Sequence, residues 1–483
     1  MIDHLIVNGT VVTVNASRDV IDQGAVAIEG TDIVGVGPTD ELADRYDASN
    51  VRDVSGSYVV PGFINTHVHV PDILARGIGK ERALHDWLFN VKRPFVAAMD
   101  ENDHATAAAL YSWESLQAGI TTFVENAGGI GAGYTRDIVS AKLDVYRDAG
   151  LRNVYAHGFV DQPATGEFGS YLDSQMAQHP EINHPPGPDV ETGEQLAYTV
   201  DLIEEFHGTA DGRQYVWPAP YLARSASVEA LQGAVEIAQQ YDVMTTTHTA
   251  EAVVQEEQSP GSSIEHLSNV GYLGPRTLLG HCVHLSERDI RLLATTDTKV
   301  VHNVVANLSL GSGVSPVPRM AESEVVLSLG TDNACQNDLI NILSDMRLAT
   351  LVHKGHRRDP GAMTAERVLE MATIDAAKAI GESDRLGSLE SGKRADIAVV
   401  DGDGIHGTPA TNAANALVHQ TTGGEITTVF CNGEIVLSEG TVPGVEGTYP
   451  DLRETATATA RDIRVRAGLS ELADRSWTRR ADH

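Results

Sequence analysis

His67 and His69 stand two residues apart at the end of Pro61-Gly62-Phe63-Ile64-Asn65-Thr66-His67-Val68-His69. The segment reads as a strand, and residues two apart on a strand face the same side. Two imidazoles converging there can share a divalent metal ion. Taken alone, the pair is equally well read as two satisfied core histidines. Three further segments shift that balance: Thr245-Thr246-Thr247-His248-Thr249-Ala250-Glu251, Gly280-His281-Cys282-Val283-His284 and Leu329-Gly330-Thr331-Asp332-Asn333. Each closes a strand-like run. If the runs are parallel strands of one barrel, their C-terminal ends meet at one mouth, where active sites of that architecture lie. Three histidines and one aspartate then make a ligand set for Zn²⁺ or Fe²⁺ with a position left for water.

The elements that must position these residues lie between about 57 and 391, where strands and helices alternate. Eight strands are expected to end near His69, Glu125, Asp161, Tyr221, His248, His281, Asn303 and Asp332. Amphipathic stretches such as 227–241 and 286–296 separate them. The pattern predicts an α/β fold, a parallel (β/α)8 TIM-type barrel with insertions. A doubly wound open sheet competes less well, because no GxGxxG follows the first strand. Residues 162–193, rich in Pro and Gly, read as the longest irregular insertion, overhanging the mouth. Residues 1–56 and 392–445 read as short strands and turns that combine into one composite β-sandwich. Asn8-Gly9 and Glu29-Gly30 are hairpin signals there. Residues 446–483 read as a helical tail.

Composition narrows the function. Apolar residues make up 42% of the 483 residues and charged residues 21%, a globular balance. The formal net charge is −32, which repels phosphate backbones and anionic lipid. No nucleic-acid or membrane partner is expected. Cys282, Cys335 and Cys431 form no CxxC knuckle and no disulfide framework. Without a signal-peptide pattern or a membrane-spanning run, the expectation is a cytoplasmic protein, working as a homodimer or higher homo-oligomer.

PGFINTHVH, HTAE, HCVHLSERDIRLL, VVHN and GTDNACQNDLINILSDMRLA, in this order, resemble the amidohydrolase superfamily. The branch they are most similar to holds cytosine deaminase, the methylthioadenosine/S-adenosylhomocysteine deaminases and the triazine hydrolases. The resemblance spans about residues 3–440. It implies a metal-dependent hydrolase with His67, His69, His248 and Asp332 as ligands of one divalent metal, zinc or, as the alternative, iron. It further implies Glu251 as general acid/base, and His281 as the residue contacting the metal's water or the substrate. Asp332 would also accept a proton. The chemistry agrees, since a metal lowers the pKa of its water and a nearby carboxylate can carry the proton onward. No lysine lies between Lys142 and Lys299, so strand four cannot supply a carboxylated lysine to bridge two metals. One metal is expected.

Candidate substrate contacts are Trp87, Glu125, His157, His302 and Asn303, with Asn126 beside Glu125. His353 and His356 are expected at the surface, and Cys282 and Cys335 as buried small side chains. The segment Val216-Trp217-Pro218-Ala219-Pro220-Tyr221 lacks the histidine that the resembled nucleoside deaminases use there. Their ribose-binding glutamate corresponds to Val96, and their strand-three arginine to the Tyr155–Gly158 stretch. Those losses argue against methylthioadenosine or S-adenosylhomocysteine as substrate. The expected reaction is hydrolytic deamination of an amino-substituted N-heterocycle. Loss of an alkylamine, chloride or amide nitrogen from a triazine-like or cyclic amide substrate is the alternative. A non-catalytic metal-binding barrel is disfavoured by the presence of both Glu251 and Asp332.

Overall fold

The computed structural model describes all residues except 129–134, 163–165, 188–189, 258–260, 410–411 and 474–483. Strands one to four are Phe63–His69, Ile120–Asn126, Arg152–Phe159 and Gln214–Pro220. Strands five to seven are Thr245–Thr249, Thr277–His281 and Lys299–His302. Strand eight comes in two pieces, Leu327–Leu329 and Asp332–Asn333. All end within two residues of the positions expected.

Strands one to four pair in parallel in chain order, as do strands five, six, seven and the first piece of eight. A parallel bridge from Leu222 to His248 links the two runs. At the other end, Asp332 and Asn333 pair with Val68 and His69 of strand one. Strands one, two, three, five, six and seven are buried along their whole length. Helices cover the outer face, and burial on both faces is what parallel sheets require. The helix Val228–Gln240 shows how the cover is made. Ser227 caps its start by accepting from the Ala230 N–H, and Ala230, Leu231, Ala234, Ile237 and Ala238 form the buried stripe.

Strands from the two chain ends join in a single sheet of eight. Ser57–Pro61 belongs to it, pairing antiparallel with Ile397–Asp401. The Glu29-Gly30 turn is a hairpin as expected, and Asn432-Gly433 makes another. Asn8-Gly9 is not. One strand, Ile2–Val12, runs straight through it with a register shift, and Asn8 takes φ 65°. The reason is close packing: a Cβ on Gly9 would lie 2.8 Å from Val59 Cγ2 and 2.9 Å from Val54 Cγ2. The glycine therefore admits neighbouring strands rather than reversing the chain. Arg152, at the start of strand three, reaches Asp396 at 3.1 Å and ties the parallel strands to this sheet.

The insertion 162–193 is less irregular than expected. It contains the helix Gly166–Met176, which packs on residues 84–92; residues 163–165 and 188–189 lie outside the described part. The helix Tyr449–Arg466 lies along Glu101–Gln117, with Arg466 paired to Asp103 at 2.5 Å. Among the described residues, no helix is long and apolar enough to cross a membrane.

Candidate metal centre and active site

The strand ends deliver five buried side chains to one place. His67, His69 and Asp332 form one group whose potential ligand atoms lie within 4.8 Å of one another, and His67, His248 and His281 form a second. His69 Nε2 stands 3.1 Å from His248 Nε2. Asp332 Oδ1 stands 3.4 Å from His69 Nε2 and 3.6 Å from His67 Nε2. Two nitrogens bound tetrahedrally to one zinc would be about 3.3 Å apart. The spacing suits one ion.

The hydrogen bonds behind the rings make the same point. His69 Nδ1 lies 2.6 Å from the Asn126 carbonyl, and His248 Nδ1 lies 2.7 Å from the Tyr221 carbonyl. A carbonyl only accepts, so both Nδ1 atoms donate and the Nε2 atom of each neutral ring carries a lone pair. Two lone pairs facing at 3.1 Å repel unless a cation lies between them. His67 is buried with neither ring nitrogen hydrogen-bonded. Such donors fit a divalent metal ion. Burial holds His67, His69 and His248 below the usual histidine range, so the rings are neutral and available as ligands. Burial alone would raise Asp332, but the surrounding imidazoles, His67 foremost, hold it well below the usual carboxylate range.

The backbone is strained at these points. Ala250, His281, Cys282 and Asp332 have φ of 50°, 69°, 48° and 58°, in the left-handed region that non-glycine residues seldom enter. Such strain persists where the surroundings fix the conformation, commonly at functional sites.

Glu251 is buried beside the cluster, its Oε1 3.6 Å from His281 Nδ1. Burial pushes its carboxyl up to about 7, the range suited to a proton shuttle at neutral pH. His281 Nδ1 is 2.9 Å from Asn307 Oδ1, and Asn303 Nδ2 lies 3.4 Å from each His281 ring nitrogen. The pocket above is walled by Leu84, Trp87, Leu88, Lys92, Tyr221 and Leu310 and encloses about 30 Å³. Trp87 Nε1 donates to Cys335 Sγ at 3.2 Å, which fixes the indole as a wall.

Trp87 therefore lines the pocket and Asn303 stands behind His281, whereas three other expected contacts turn away. Glu125 turns outward, where Lys142 and Tyr146 of the helix Arg136–Asp148 donate to its carboxylate. His157 also faces the helix layer, its ring 5.3 Å from that of Tyr198. His302 meets His353 of the helix Ile342–Arg357, Nε2 to Nε2 at 3.1 Å. His353 is buried rather than at the surface, whereas His356 is exposed. Strand alternation is the cause: Glu125, His157 and His302 have the outward parity, while Asn126 and Asn303, next in sequence, have the inward one. A consequence follows for stability. Lys142→Met should destabilise the fold by about 3–5 kcal/mol, because Glu125 is left as a buried unpaired charge. Urea unfolding would measure the loss, with metal content unchanged.

Lys92, Asp72 and Asn307 were not singled out by sequence reasoning. In the sequence Lys92 stands after Asn90-Val91 and before Arg93, which gives it no signal beyond the scarcity of lysine, seven in the chain. Cys282 and Cys335 are buried, as expected.

A profile of the amidohydrolase family matches residues 58–436. The 5'-deoxyadenosine deaminase of Methanothermobacter thermautotrophicus is 33% identical over 448 residues, covering 92% of this chain and 95% of its own. The S-triazine hydrolase of Gordonia rubripertincta is 35% identical over 338 residues, covering 69% of each chain. Among solved structures, an adenosine deaminase from Xanthomonas campestris with bound zinc superposes with a TM-score of 0.82 at 26% identity, over 96% of this chain and 99% of its own. With a family profile over residues 58–436 and a relative 33% identical over 92% of its length, the chain belongs to the amidohydrolase family.

Proposed function

We propose that this protein is a metal-dependent aminohydrolase that replaces an exocyclic amine of an aromatic N-heterocycle with oxygen and releases ammonia. The observation that carries the reading is the buried Glu251 carboxyl, 3.6 Å from His281 and beside the cluster of His67, His69, His248 and Asp332. His67, His69, His248 and Asp332 hold one divalent metal, zinc or alternatively iron, with His281 beside it. Bound there, the ion supplies Lewis acidity. Glu251 takes a proton from the attacking water and delivers it to the amine nitrogen as the C–O bond forms and the C–N bond breaks. Asp332 accepts the second proton of the same water, which passes on to the ring nitrogen of the keto product, so that no proton stays on the enzyme. His281, steadied by Asn307 and Asn303, orients the reacting carbon's substituents, and Trp87 borders the ring. The pocket has room for about two waters.

The relatives named for nucleoside substrates support the reaction class, while Val96 in place of a ribose-binding glutamate favours a base without ribose. The triazine hydrolase relative favours a second reading, in which an alkylamine or chloride leaves. Ammonia release from aminopyrimidines, pterins, purines and triazines separates the two, with mass spectrometry of the products. Elemental analysis of the active protein should give about one metal per chain. Two equivalents, or none, would overturn the ligand assignment.

The same reading takes the two parallel runs as one closed eight-stranded barrel over about 57–391. The end sheet, 1–56 with 392–445 and joined by Ser57–Pro61, is then a composite β-sandwich, and 446–483 a tail. Support comes from Ile2–Val12, which pairs with Ala48–Asp53 along its first half and with Ser57–Pro61 along its second. A cytoplasmic homo-oligomer acting on a small heterocycle, without nucleic-acid or membrane partners, fits the charge of −32; light scattering would give the oligomeric state.

A further inference from the structure

Lys92 is a buried cation in the pocket wall that the reaction above does not use. Its Nζ pairs with Asp72 Oδ2 at 3.1 Å and lies 5.5 Å from the centroid of the Trp87 ring. Tyr221 lines the same cavity, its ring 4.6 Å from that of His248. An ammonium has three donors. Asp72 draws it from one side as an ion-pair partner, and the ammonium also borders the cavity that Lys92 lines.

The backbone is shaped to present this group. Residues Leu88–Lys92 form a π-helical turn, a rare widening of the helix that recurs at functional sites. In an ordinary α-helix, residues five apart point about 140° away from each other. The wider turn brings Trp87 and Lys92 onto one face. Burying a lysine–aspartate pair gives little or no stability over a well-packed apolar pair. Packing therefore gives no reason for a lysine in this wall.

We propose that Lys92 is a specificity-determining residue whose ammonium donates to a negatively polarised oxygen on the heterocycle, a ring keto oxygen or a carboxylate. The inference rests on the aminohydrolase reading and names its substrate class: oxygen-bearing amino heterocycles over those that carry only amines. A charged donor left without an acceptor in a closed site penalises the analogue lacking the oxygen.

Matched probes test it: cytosine against 4-aminopyrimidine, ammeline against melamine, and an amino heterocycle with a carboxylate against its decarboxylated form. Lys92→Met alone leaves Asp72 unpaired, so the variant compared with wild type is Lys92→Met combined with Asp72→Asn, with Lys92→Gln alongside. Affinities are also read by calorimetry in a Glu251→Gln background, which retains the pocket. The expected result is a loss of roughly ten- to a hundredfold in kcat/KM and affinity for the oxygen-bearing member. The loss should fall mainly in KM, with metal content unchanged and the oxygen-free member unaffected. The keto and carboxylate arms show which oxygen is read. Equal losses on both members of each pair, or none on either, would overturn the assignment to Lys92. If wild type releases ammonia from no probe, the aminohydrolase reading fails instead, and the calorimetric comparison still decides the role of Lys92.

Discussion

Glu251→Gln should lower turnover at least about a hundredfold, and up to about ten-thousandfold, while keeping fold and metal. A positioned proton-transfer group contributes on that scale. The replacement preserves the shape of a side chain that is buried and bonded to no fixed partner through Oε1. An amide cannot exchange a proton with the attacking water and the departing amine. The carboxyl it replaces is the one that burial holds near 7. The measurements are steady-state kinetics on whichever probe the wild type turns over, elemental analysis and a melting curve. Near-full turnover in the variant would remove Glu251 from the chemistry, even with barrel and metal correctly assigned.

His248→Ala is expected to behave differently. The change deletes a lone pair 3.1 Å from that of His69 and the donor to the Tyr221 carbonyl. Metal occupancy should collapse. Activity should fall by about a thousandfold or more, since a metal's Lewis acidity is worth several kcal/mol in the transition state. Stability should report the same loss, because an ion bound only to the folded state stabilises it by mass action. A chelator should therefore lower the melting temperature of the wild type and of Glu251→Gln, but not that of His248→Ala. Retained metal in His248→Ala, with unchanged sensitivity to chelator, would remove His248 from the ligand set. Read together, the two substitutions separate proton transfer from metal binding.

The sequence by itself determined the ordered strand ends and hence the cluster. His67 and His69 share a face because strand side chains repeat every two residues. His248, His281 and Asp332 join them because parallel strands connected through helices bring their C-terminal ends to one side. Glu251 was legible for the same reason, lying just past His248. Parity within the other strands was not legible. Whether Glu125 or Asn126, and His302 or Asn303, faces the pocket depends on the register each strand takes against its neighbours, and a shift of one residue reverses it. The burial of His353 arises only because the helix Ile342–Arg357 lays it against His302. Lys92 reads as an ordinary surface lysine until the π-helical turn points it inward and Asp72, from a separate turn after strand one, neutralises it. Spacing along the chain fixed the groups whose geometry is local. Tertiary packing decided which of the remaining polar groups face the cavity and which are paired away from it, because burying a charge requires a partner that only the folded chain brings near.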